Sequence, residues 1–421
     1  MTEHSIGELI KELTKSSKDA SRLLLNESEE RINSALINMS ELLLQQKEWL
    51  QNENKKDLKA GEENGLSGAM LDRLTLFDKT INSMITGLKE VAELKGSVGQ
   101  IYDERTRPNG LRIYKTRVPI GVIGIIYESR PNVTVDAAAI CLKSMNAVIL
   151  RGGSEAFHSN TALAALFSKA LENQGLPAKS VQLIPTIDRA AIEHLLRSED
   201  DVDLIIPRGG EGLIRMVVKN SHIPVIKHYK GICHVYISAN AEMEKALRIA
   251  VNSKVQRPGV CNAMETLILD SNLSQENRKQ IITALLENGV TIMGDADTQA
   301  LNSSIKPASE QDWEEEYLDL RLAVKTVNGM DEAIRHISRY SSHHTESIVT
   351  ESAEEATEFL KLVDSSSVMH NASTRFADGG EYGMGCEIGI STDKLHSRGP
   401  MGVEDLTTYK WIVKGEGQIR E

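Results

Sequence analysis

Val122-Ile123-Gly124-Ile125-Ile126-Tyr127 indicates the fold class of this chain most clearly. It is an unbroken apolar run rich in β-branched residues, which is typical of a strand buried on both faces of a sheet. A helical pattern follows at Val135 to Ser144, and a second short apolar run follows at Ala147 to Leu150. Short apolar strands joined by a helix predict a parallel sheet in an α/β domain.

The alternation of strand and helix continues through the next eighty residues. The predicted strands are Val181 to Ile184, Val202 to Ile206 and Ile223 to Ile226, and the predicted helices are Ser159 to Asn173, Arg189 to Ser198 and Glu211 to Lys219. The helices are amphipathic, and the strands between them are short and mostly apolar. We therefore predict a Rossmann-like domain, in which helices cover both faces of a parallel sheet.

The sequence on either side of this region has a different pattern. From Ile6 to about Leu94 apolar residues recur at three and four positions, which predicts packed helices. After Gly231 a second alternating section begins, so we place a domain boundary near that residue. Its predicted strands are His234 to Ile237, Thr266 to Leu269, Thr291 to Met293 and Leu322 to Val327, and its predicted helices are Ala241 to Asn252, Gln275 to Asn288 and Asp331 to Ser341.

Composition excludes several classes of protein. The chain has 421 residues, with 48 Lys and Arg against 60 Asp and Glu, so its net charge is −12. That charge argues against a protein that neutralises nucleic acid or an anionic membrane surface. No apolar stretch reaches the ~20 residues of a membrane-spanning helix, and we see no secretory signal at the start of the sequence. We expect no nucleic-acid partner and no membrane partner.

Four cysteines stand at 141, 233, 261 and 386, without CxxC pairing, which favours reduced thiols in the cytoplasm. Cys261 ends the stretch Asn252-Ser253-Lys254-Val255-Gln256-Arg257-Pro258-Gly259-Val260-Cys261, which joins a predicted helix to a predicted strand. Positive charge nearby favours the thiolate, the nucleophilic form of cysteine. Cys141 and Cys233 are predicted to be core residues. Cys386, in a glycine-rich loop, stays open as an alternative.

Two glycine-rich turns follow predicted strands. They are Arg151-Gly152-Gly153-Ser154-Glu155 and Arg208-Gly209-Gly210-Glu211-Gly212. Glycines between a strand and a helix allow backbone N–H groups to point at an anion such as a pyrophosphate. Neither turn is a full G-x-G-x-x-G motif, so both are also compatible with ordinary connections. His343-His344 would point to opposite faces of an extended chain, and we predict no metal site.

Several longer segments resemble the gamma-glutamyl phosphate reductase family of the aldehyde dehydrogenase superfamily. The segments, which span most of the chain in order, are Tyr114 to Val122, Tyr127 to Thr134, Ile149 to Ala156, Ile206 to Gly210, the Cys261 loop, Ser342 to Ile348, Asn371 to Phe376 and His396 to Gly402. The resemblance implies a Rossmann-like NADP-binding domain with N-terminal helices over 1–110 and 119–231. It also implies a catalytic α/β domain over 232–392 and a small oligomerisation flap over 111–118 and 393–421.

The resemblance also implies roles for individual residues. Cys261 would be the nucleophile, and Asn132 would stabilise the oxyanion together with a backbone N–H. NADP(H) would bind at Arg151, Gly152, Gly153, Glu155, Gly209 and Gly210. Arg151 stands where the superfamily usually has a lysine, and its guanidinium could reach a 2′-phosphate. We expect the substrate's phosphate and α-carboxylate to be bound by some of Arg130, Lys254, Arg257 and Arg398.

The activity that this resemblance implies is the NADPH-dependent reduction of L-glutamyl 5-phosphate to L-glutamate 5-semialdehyde through a cysteine thioester, in proline biosynthesis. It also implies a homo-oligomer and, as a possible partner, a separate glutamate 5-kinase that supplies the acyl phosphate. One alternative is another acyl-phosphate or acyl-CoA reductase, or an aldehyde-oxidising member of the superfamily. A second alternative is a nucleotide-binding protein without catalysis, in which replacing Cys261 would change nothing.

Overall fold

The computed structural model describes residues 3–128 and 130–420. The chain forms two compact units. The first comprises Met1–Lys227, Gly383–Gly389 and Met401–Glu421, and the second comprises His228–Tyr382 and Ile390–Pro400. Residues 393–400, which the sequence predicts as part of the flap, lie in the second unit. Among the described residues, no helix is both long and apolar enough to cross a membrane.

Five helices begin the first unit. They are α1 (Glu3–Leu24), α2 (Glu29–Gln45), α3 (Lys47–Glu63), α4 (Gly68–Leu74) and α5 (Asp78–Glu93). In α1 the apolar residues Ile6, Ile10 and Leu13 recur at the helical period and are all buried. Ser28 caps α2, because its hydroxyl oxygen accepts the backbone N–H of Arg31.

A small antiparallel sheet also belongs to the first unit. Strand β1 (Ile101–Thr106) pairs with β2 (Arg112–Pro119), and β2 pairs in turn with the last strand of the chain, β16 (Thr407–Lys414). Strands β2 and β16 fall largely within the predicted flap segments 111–118 and 393–421, whereas β1 precedes them. We call these three strands the flap sheet.

The main sheet of the first unit has four parallel strands in the order β5-β4-β3-β6. These strands are β3 (Val122–Tyr127), β4 (Ala147–Arg151), β5 (Val181–Leu183) and β6 (Leu204–Arg208). Four helices follow them in turn, namely α6 (Asn132–Lys143), α7 (Phe157–Asn173), α8 (Ala190–Leu196) and α9 (Glu211–Asn220). The strand predicted at Ile223 to Ile226 is only an isolated bridge between Ile205 and Val225.

Helices cover both faces of this sheet, as the alternation of strand and helix predicts. Along β3, Ile123 and Ile125 pack in one apolar core with α6 and α7, whereas Val122 and Ile126 pack in another core with α1 and α8. Successive side chains of a strand point to opposite faces, so a strand that is apolar at every position is covered on both sides.

The second unit is built on a seven-stranded parallel sheet with the order β10-β9-β11-β8-β7-β12-β13. The strands are β7 (Cys233–Ile237), β8 (Met264–Asp270), β9 (Thr291–Gly294), β10 (Lys306–Pro307), β11 (Arg321–Val327), β12 (Thr345–Val349) and β13 (Ser367–His370). The helices are α10 (Met243–Val255), α11 (Gln275–Glu287), α12 (Ala296–Gln299), α13 (Met330–Tyr340) and α14 (Ala353–Leu362). A short antiparallel pair, β14 (Ile390–Ser391) and β15 (Gly399–Pro400), completes the unit.

Candidate active site

Cys261 lies in the turn between α10 and β8 of the second unit. The turn closes through a hydrogen bond from the Ala263 N–H to the Val260 carbonyl oxygen, 3.0 Å long, just before β8 begins. Cys261 is half-buried, whereas Cys141 and Cys233 are fully buried, as predicted for core residues. Cys386 is also half-buried, but it packs against the apolar core of the first unit. Cys261 is therefore a partly exposed residue on a loop, which is compatible with the predicted role of nucleophile.

The backbone at Gly231 packs directly against the backbone of Cys261. A Cβ atom at Gly231 would lie 2.0 Å from the carbonyl oxygen of Cys261 and 2.5 Å from its Cα. Only glycine allows two backbone segments to approach so closely. The sequence shows a Gly at this position, but nothing in its local pattern indicates the contact with residue 261.

Cys233, in the first position of β7, also contacts this loop. Its thiol donates to the Cys261 carbonyl oxygen over 3.2 Å, and its sulfur lies 3.6 Å from Nδ1 of His344. Burial, together with the charge of Glu346, raises the pKa of Cys233 well above its ordinary value. Cys233 therefore stays a neutral thiol that supports the loop and is not a second nucleophile.

Lys254 does not line an open site. Its side chain is fully buried, and its Nζ lies 2.7 Å from a carboxylate oxygen of Glu265, which is equally buried. Burial lowers the pKa of Lys254 and raises that of Glu265 to about 7, and each charge partly opposes the shift of the other. This placement argues against the predicted contact of Lys254 with substrate, because its ammonium group is already paired inside the protein.

Arg257 is exposed on the Cys261 loop, and its contact with substrate stays a prediction. Arg398, by contrast, is ion-paired with Asp364 at 2.7 Å. Lys394 and Arg398 together lower the pKa of Asp364 to about 2, so this carboxylate remains charged and keeps Arg398 engaged. Of the predicted substrate cations in the second unit, Arg257 is the one placed on the surface of the Cys261 loop.

Arg375 is a cation near Cys261 to which the sequence analysis gives no role. Its Nε donates to Oε1 of Gln256 over 2.8 Å, and the Asn262 side chain donates to the Ala377 carbonyl oxygen over 2.9 Å. Gln256 and Asn262 flank the turn that carries Cys261. The available signal was the segment Asn371 to Phe376, which the family resemblance marks without indicating where it folds.

Asn132 is the first residue of α6, directly beyond the carboxyl end of β3 in the first unit. Its amide Nδ2 donates to Oδ2 of Asp136 over 3.0 Å. An amide nitrogen carries two N–H groups, so the second remains available for an oxyanion. Arg130 is exposed two residues earlier. Asp136 was missed, although residues four apart share a helix face.

A cavity of about 1080 Å³ opens in the first unit beyond the carboxyl ends of β3, β4 and β6. Ligands of open α/β sheets bind at this edge. Its lining includes Arg151, Gly153, Glu155 and Arg189. Arg151 donates through Nη2 to the Ile187 carbonyl oxygen at 3.0 Å, and its Nε is buried without a hydrogen-bond partner.

The other predicted cofactor glycines have distinct surroundings. Gly152 packs closely, because a Cβ there would lie 2.1 Å from the Asn160 side chain. Gly210 precedes α9, and its N–H donates to Oε2 of Glu128 over 2.9 Å. A carboxylate thus occupies the N-terminus of α9, where an anion is stabilised by free N–H groups. A Cβ at Gly209 would lie 2.6 Å from that same carboxylate.

Two further observations concern the predicted histidine pair. His344 is buried, and burial lowers its pKa to about 3, so it stays neutral. Its Nδ1 contacts the Thr345 hydroxyl at 2.8 Å, whereas Nδ1 of His343 contacts the Asp364 carbonyl oxygen at 2.8 Å. Within residues 3–128 and 130–420 no group of three His, Cys, Asp or Glu side chains could hold a metal ion.

Comparison with known proteins gives concordant results. The model of the aldehyde dehydrogenase family matches residues 40–319. The gamma-glutamyl phosphate reductase of Desulfatibacillum aliphaticivorans is 52% identical over 99% of this chain and 100% of its own length. That of Moorella thermoacetica is 52% identical over 96% of this chain and 97% of its own length.

One solved structure has the same fold along almost the whole chain. The crystal structure of gamma-glutamyl phosphate reductase from Thermotoga maritima superposes with a TM-score of 0.96 and 42% identity, over 98% of this chain and 100% of that one. Sequence and structure agree along almost the whole length. This chain belongs to the aldehyde dehydrogenase family and, within it, to the gamma-glutamyl phosphate reductases.

Proposed function

We propose that this chain reduces L-glutamyl 5-phosphate to L-glutamate 5-semialdehyde with release of phosphate, using NADPH, as the second step of proline biosynthesis from glutamate. The observation that carries the proposal is the similarity over 99% of the chain to a protein named gamma-glutamyl phosphate reductase. The half-buried Cys261, on a turn fixed by Gly231 and Cys233, supplies the nucleophile that an acyl-transfer reaction needs.

Both chemical steps of the proposed reaction take place on an acyl group bound to the Cys261 sulfur. The Cys261 thiolate attacks the γ-carbonyl carbon, and the bond from that carbon to the phosphate oxygen breaks, so that orthophosphate leaves with the electron pair. The product on the protein is a thioester. Hydride addition to the thioester carbonyl gives a tetrahedral oxyanion, which collapses to the aldehyde and returns the electron pair to sulfur.

The oxyanion needs hydrogen-bond donors that are fixed before the reaction. We assign this role to the Asn132 amide and the Cys261 backbone N–H. Support for the first assignment comes from the bond between Asn132 and Asp136, which fixes the orientation of the amide. Support for the second comes from the tight turn at Val260 and Ala263, which fixes the backbone around Cys261.

Membership of the aldehyde dehydrogenase family implies a nicotinamide cofactor. When bound, the cofactor supplies the hydride that reduces the thioester. The cavity at the edge of the four-stranded sheet fits such a group, because it combines the unpartnered Nε of Arg151 with a helix N-terminus that already attracts a carboxylate. We propose that Arg151 and Glu155 hold the adenosine ribose and that Gly209 and Gly210 lie at the pyrophosphate.

NADP is the finer proposal. Two arginines, Arg151 and Arg189, line the cavity, and the positive charge of Arg189 contributes to lowering the pKa of Arg151, after the larger effect of burial. Two neighbouring guanidinium groups suit the extra phosphate of NADP better than a free 2′-hydroxyl. Arg189 follows the end of β5, so it reaches the same edge of the sheet as Arg151.

We propose a homo-oligomer in which subunits meet at the flap sheet formed by β1, β2 and β16. Its strands expose large apolar side chains, among them Tyr409, Trp411 and Val413, each about half exposed. An exposed cluster of this kind is typical of an interaction surface. A separate glutamate 5-kinase would supply the acyl phosphate, and the cytoplasm remains the predicted location.

The reverse reaction tests this function. With L-glutamate 5-semialdehyde and NADP as substrates, continuous NADPH formation should require added phosphate, and Cys261→Ser should lower turnover by about 1000-fold or more. Wild-type turnover that is equal with and without phosphate, or that depends instead on coenzyme A, would assign the chain to another reaction of the family. Equal turnover of the wild type and Cys261→Ser would show that Cys261 is not the nucleophile.

A further inference from the structure

The segment from Ser373 to Ala377 is docked on the Cys261 loop by hydrogen bonds. The hydroxyl groups of Ser253 and Ser373 lie 3.0 Å apart, and the Thr374 N–H donates to the Ser253 oxygen over 3.3 Å. At the other end, the Asn262 side chain donates to the Ala377 carbonyl oxygen over 2.9 Å. The two segments are therefore held in register on both sides of Arg375.

The side chain of Arg375 is directed along the loop by a third contact. Its Nε donates to Oε1 of Gln256 over 2.8 Å, next to the exposed Arg257. A guanidinium carries five N–H groups, so this bond leaves its terminal N–H groups for another acceptor. Two arginines thus belong to the same loop surface as Cys261.

The charges of this pair are not balanced by a carboxylate at ion-pair distance. Across the described ranges of the chain, no Asp or Glu forms a salt bridge with Arg257 or Arg375, whereas Lys254 and Arg398 each have such a partner. Burial lowers the pKa of Arg375, and the positive charge of Arg257 lowers it further, while Asp378 and Cys261 act in the opposite direction. The mutual repulsion of the pair would be relieved by a bound anion.

We propose that Arg375 and Arg257 form the binding subsite for the phosphoryl group of the acyl phosphate, and for inorganic phosphate in the reverse reaction. The inference rests on the proposed function and goes beyond it, because it assigns the leaving group to Arg257 of the Cys261 loop and Arg375 of the segment packed on that loop. Arginine suits this role, since its planar group binds phosphate oxygens in pairs. Stabilising the departing orthophosphate would favour cleavage of the carbon–oxygen bond after attack by Cys261.

The same cations could instead bind the α-carboxylate of the substrate, which is also an anion. Steady-state kinetics of the reverse reaction separate the two ligands, because phosphate and L-glutamate 5-semialdehyde are added independently. The variants are Arg375→Gln, Arg257→Gln and Arg375→Lys. The matched control is Arg339→Gln, which removes an exposed arginine that pairs with Glu310 elsewhere in the second unit.

We expect Arg375→Gln and Arg257→Gln to raise the KM for phosphate by about tenfold or more, with the KM for the semialdehyde changed less than about twofold. Arg375→Lys should recover part of the loss, since it keeps the charge without the planar group. In the wild type, added phosphate should raise the midpoint of thermal unfolding in a concentration-dependent manner, and Arg375→Gln should reduce that shift. Arg339→Gln should match the wild type in every measurement.

Two results would overturn the subsite. A raised KM for the semialdehyde with an unchanged KM for phosphate would place the α-carboxylate on this pair. Arg257 is exposed, so Arg257→Gln should fold normally. If this variant left the KM for phosphate and the KM for the semialdehyde unchanged, the two arginines would not form a substrate subsite. These outcomes differ from failure of the proposed function, in which the wild type itself would show no requirement for phosphate.

Discussion

At the scale of single residues, Asp136 orients the side-chain amide of Asn132 although burial disfavours the charged form of its own carboxyl group. Its carboxylate accepts a hydrogen bond from Asn132 and lies near the positive charge of Arg208. Burial nevertheless raises the pKa of Asp136 to about 6, because neither contact compensates for lost hydration. The folded protein therefore binds a proton at this site more readily than the unfolded chain does.

This shift predicts a pH-dependent stability difference. Because the folded pKa lies above the ordinary value of 3.8, the contribution of Asp136 to the free energy of unfolding should fall as pH rises from about 4 through about 6. Asp136→Asn removes that titration, so its free energy of unfolding relative to wild type should increase by up to about 3 kcal/mol over the same window. Urea unfolding at several pH values measures the difference.

The exposed Asp297 of α12 provides the control for this prediction. Asp297→Asn controls for the loss of an exposed carboxylate, and its free energy of unfolding should stay within about 0.5 kcal/mol of wild type. A difference between Asp136→Asn and wild type that does not vary with pH would contradict the raised pKa of Asp136.

The sequence predicted the placement of some candidate site residues but not of others. It identified Cys261 and placed Arg257 on the same loop, because polar residues, cations and turn formers cluster there. It could not tell that Lys254 points inward to Glu265, since the pairing residue lies on the neighbouring strand. The sequence did not indicate the placement of Arg375 for a similar reason. Arg375 and its partner on the loop, Gln256, are more than one hundred residues apart in sequence.

At the scale of elements, the turn between α10 and β8 depends on the close approach of Gly231. Gly231→Ala should displace the loop and lower kcat by about tenfold or more, because a new methyl group would overlap the Cys261 backbone. Gly259→Ala, in the same loop, is the matched control, since its Cβ would meet only the Leu318 carbonyl oxygen at 3.6 Å. Comparing kcat of both variants with wild type tests this prediction, and equal losses would contradict it.

The buried pair of Lys254 and Glu265 joins the two ends of that turn, one residue in α10 and one in β8. Removing one partner leaves a buried charge unpaired, so Lys254→Met or Glu265→Leu alone should cost about 3–5 kcal/mol of unfolding free energy. The double variant should cost less than the sum of the two.

Urea unfolding of the two single variants and the double variant gives the coupling energy directly. The surface pair of Arg339 and Glu310 is the comparison, because both side chains are more than half exposed. Its coupling should stay below about 1 kcal/mol. Additive effects at Lys254 and Glu265 would show that the ion pair does not hold the turn.

The sequence predicted elements well where their burial is uniform and poorly where it is not. Strand β12 was missed because it begins Thr345-Glu346-Ser347, polar residues that are nevertheless buried. Glu346 accepts hydrogen bonds from the backbone and ring of His234, partners that no local pattern reveals. Strand β1 was missed for the opposite reason, since every residue of it is exposed.

At the scale of the whole molecule, the chain assigns its two predicted tasks to different units. The cavity that suits a nicotinamide cofactor belongs to the first unit, and Cys261 belongs to the second. Periodicity predicted the two alternating α/β sections and a boundary near residue 231. It could not indicate that residues 383–389 and 401–421 return to the first unit, because such returns depend on contacts between distant segments.

The resemblance to a family carried information that spacing did not. Neither glycine-rich turn matches a complete dinucleotide motif, so the pattern alone left ordinary turns as an alternative. The structure gives a physical reason for Gly152, because a Cβ there would lie 2.1 Å from the buried Asn160 side chain. At Gly209 the nearest atoms belong to the exposed Glu128 side chain, which can move aside. Packing therefore explains the first of these glycines but not the second.

The proposed mechanism requires Cys261 to carry the acyl group between the two chemical steps. The most direct test mixes the protein with L-glutamate 5-semialdehyde and oxidised NADP in the absence of phosphate, and follows NADPH in the first turnover. We predict a burst of about one NADPH per active site, a glutamyl thioester mapped to Cys261 by peptide mass spectrometry, and renewed NADPH formation when phosphate is added. An acyl group on another residue, or continuous turnover without phosphate and without an adduct, would contradict the account.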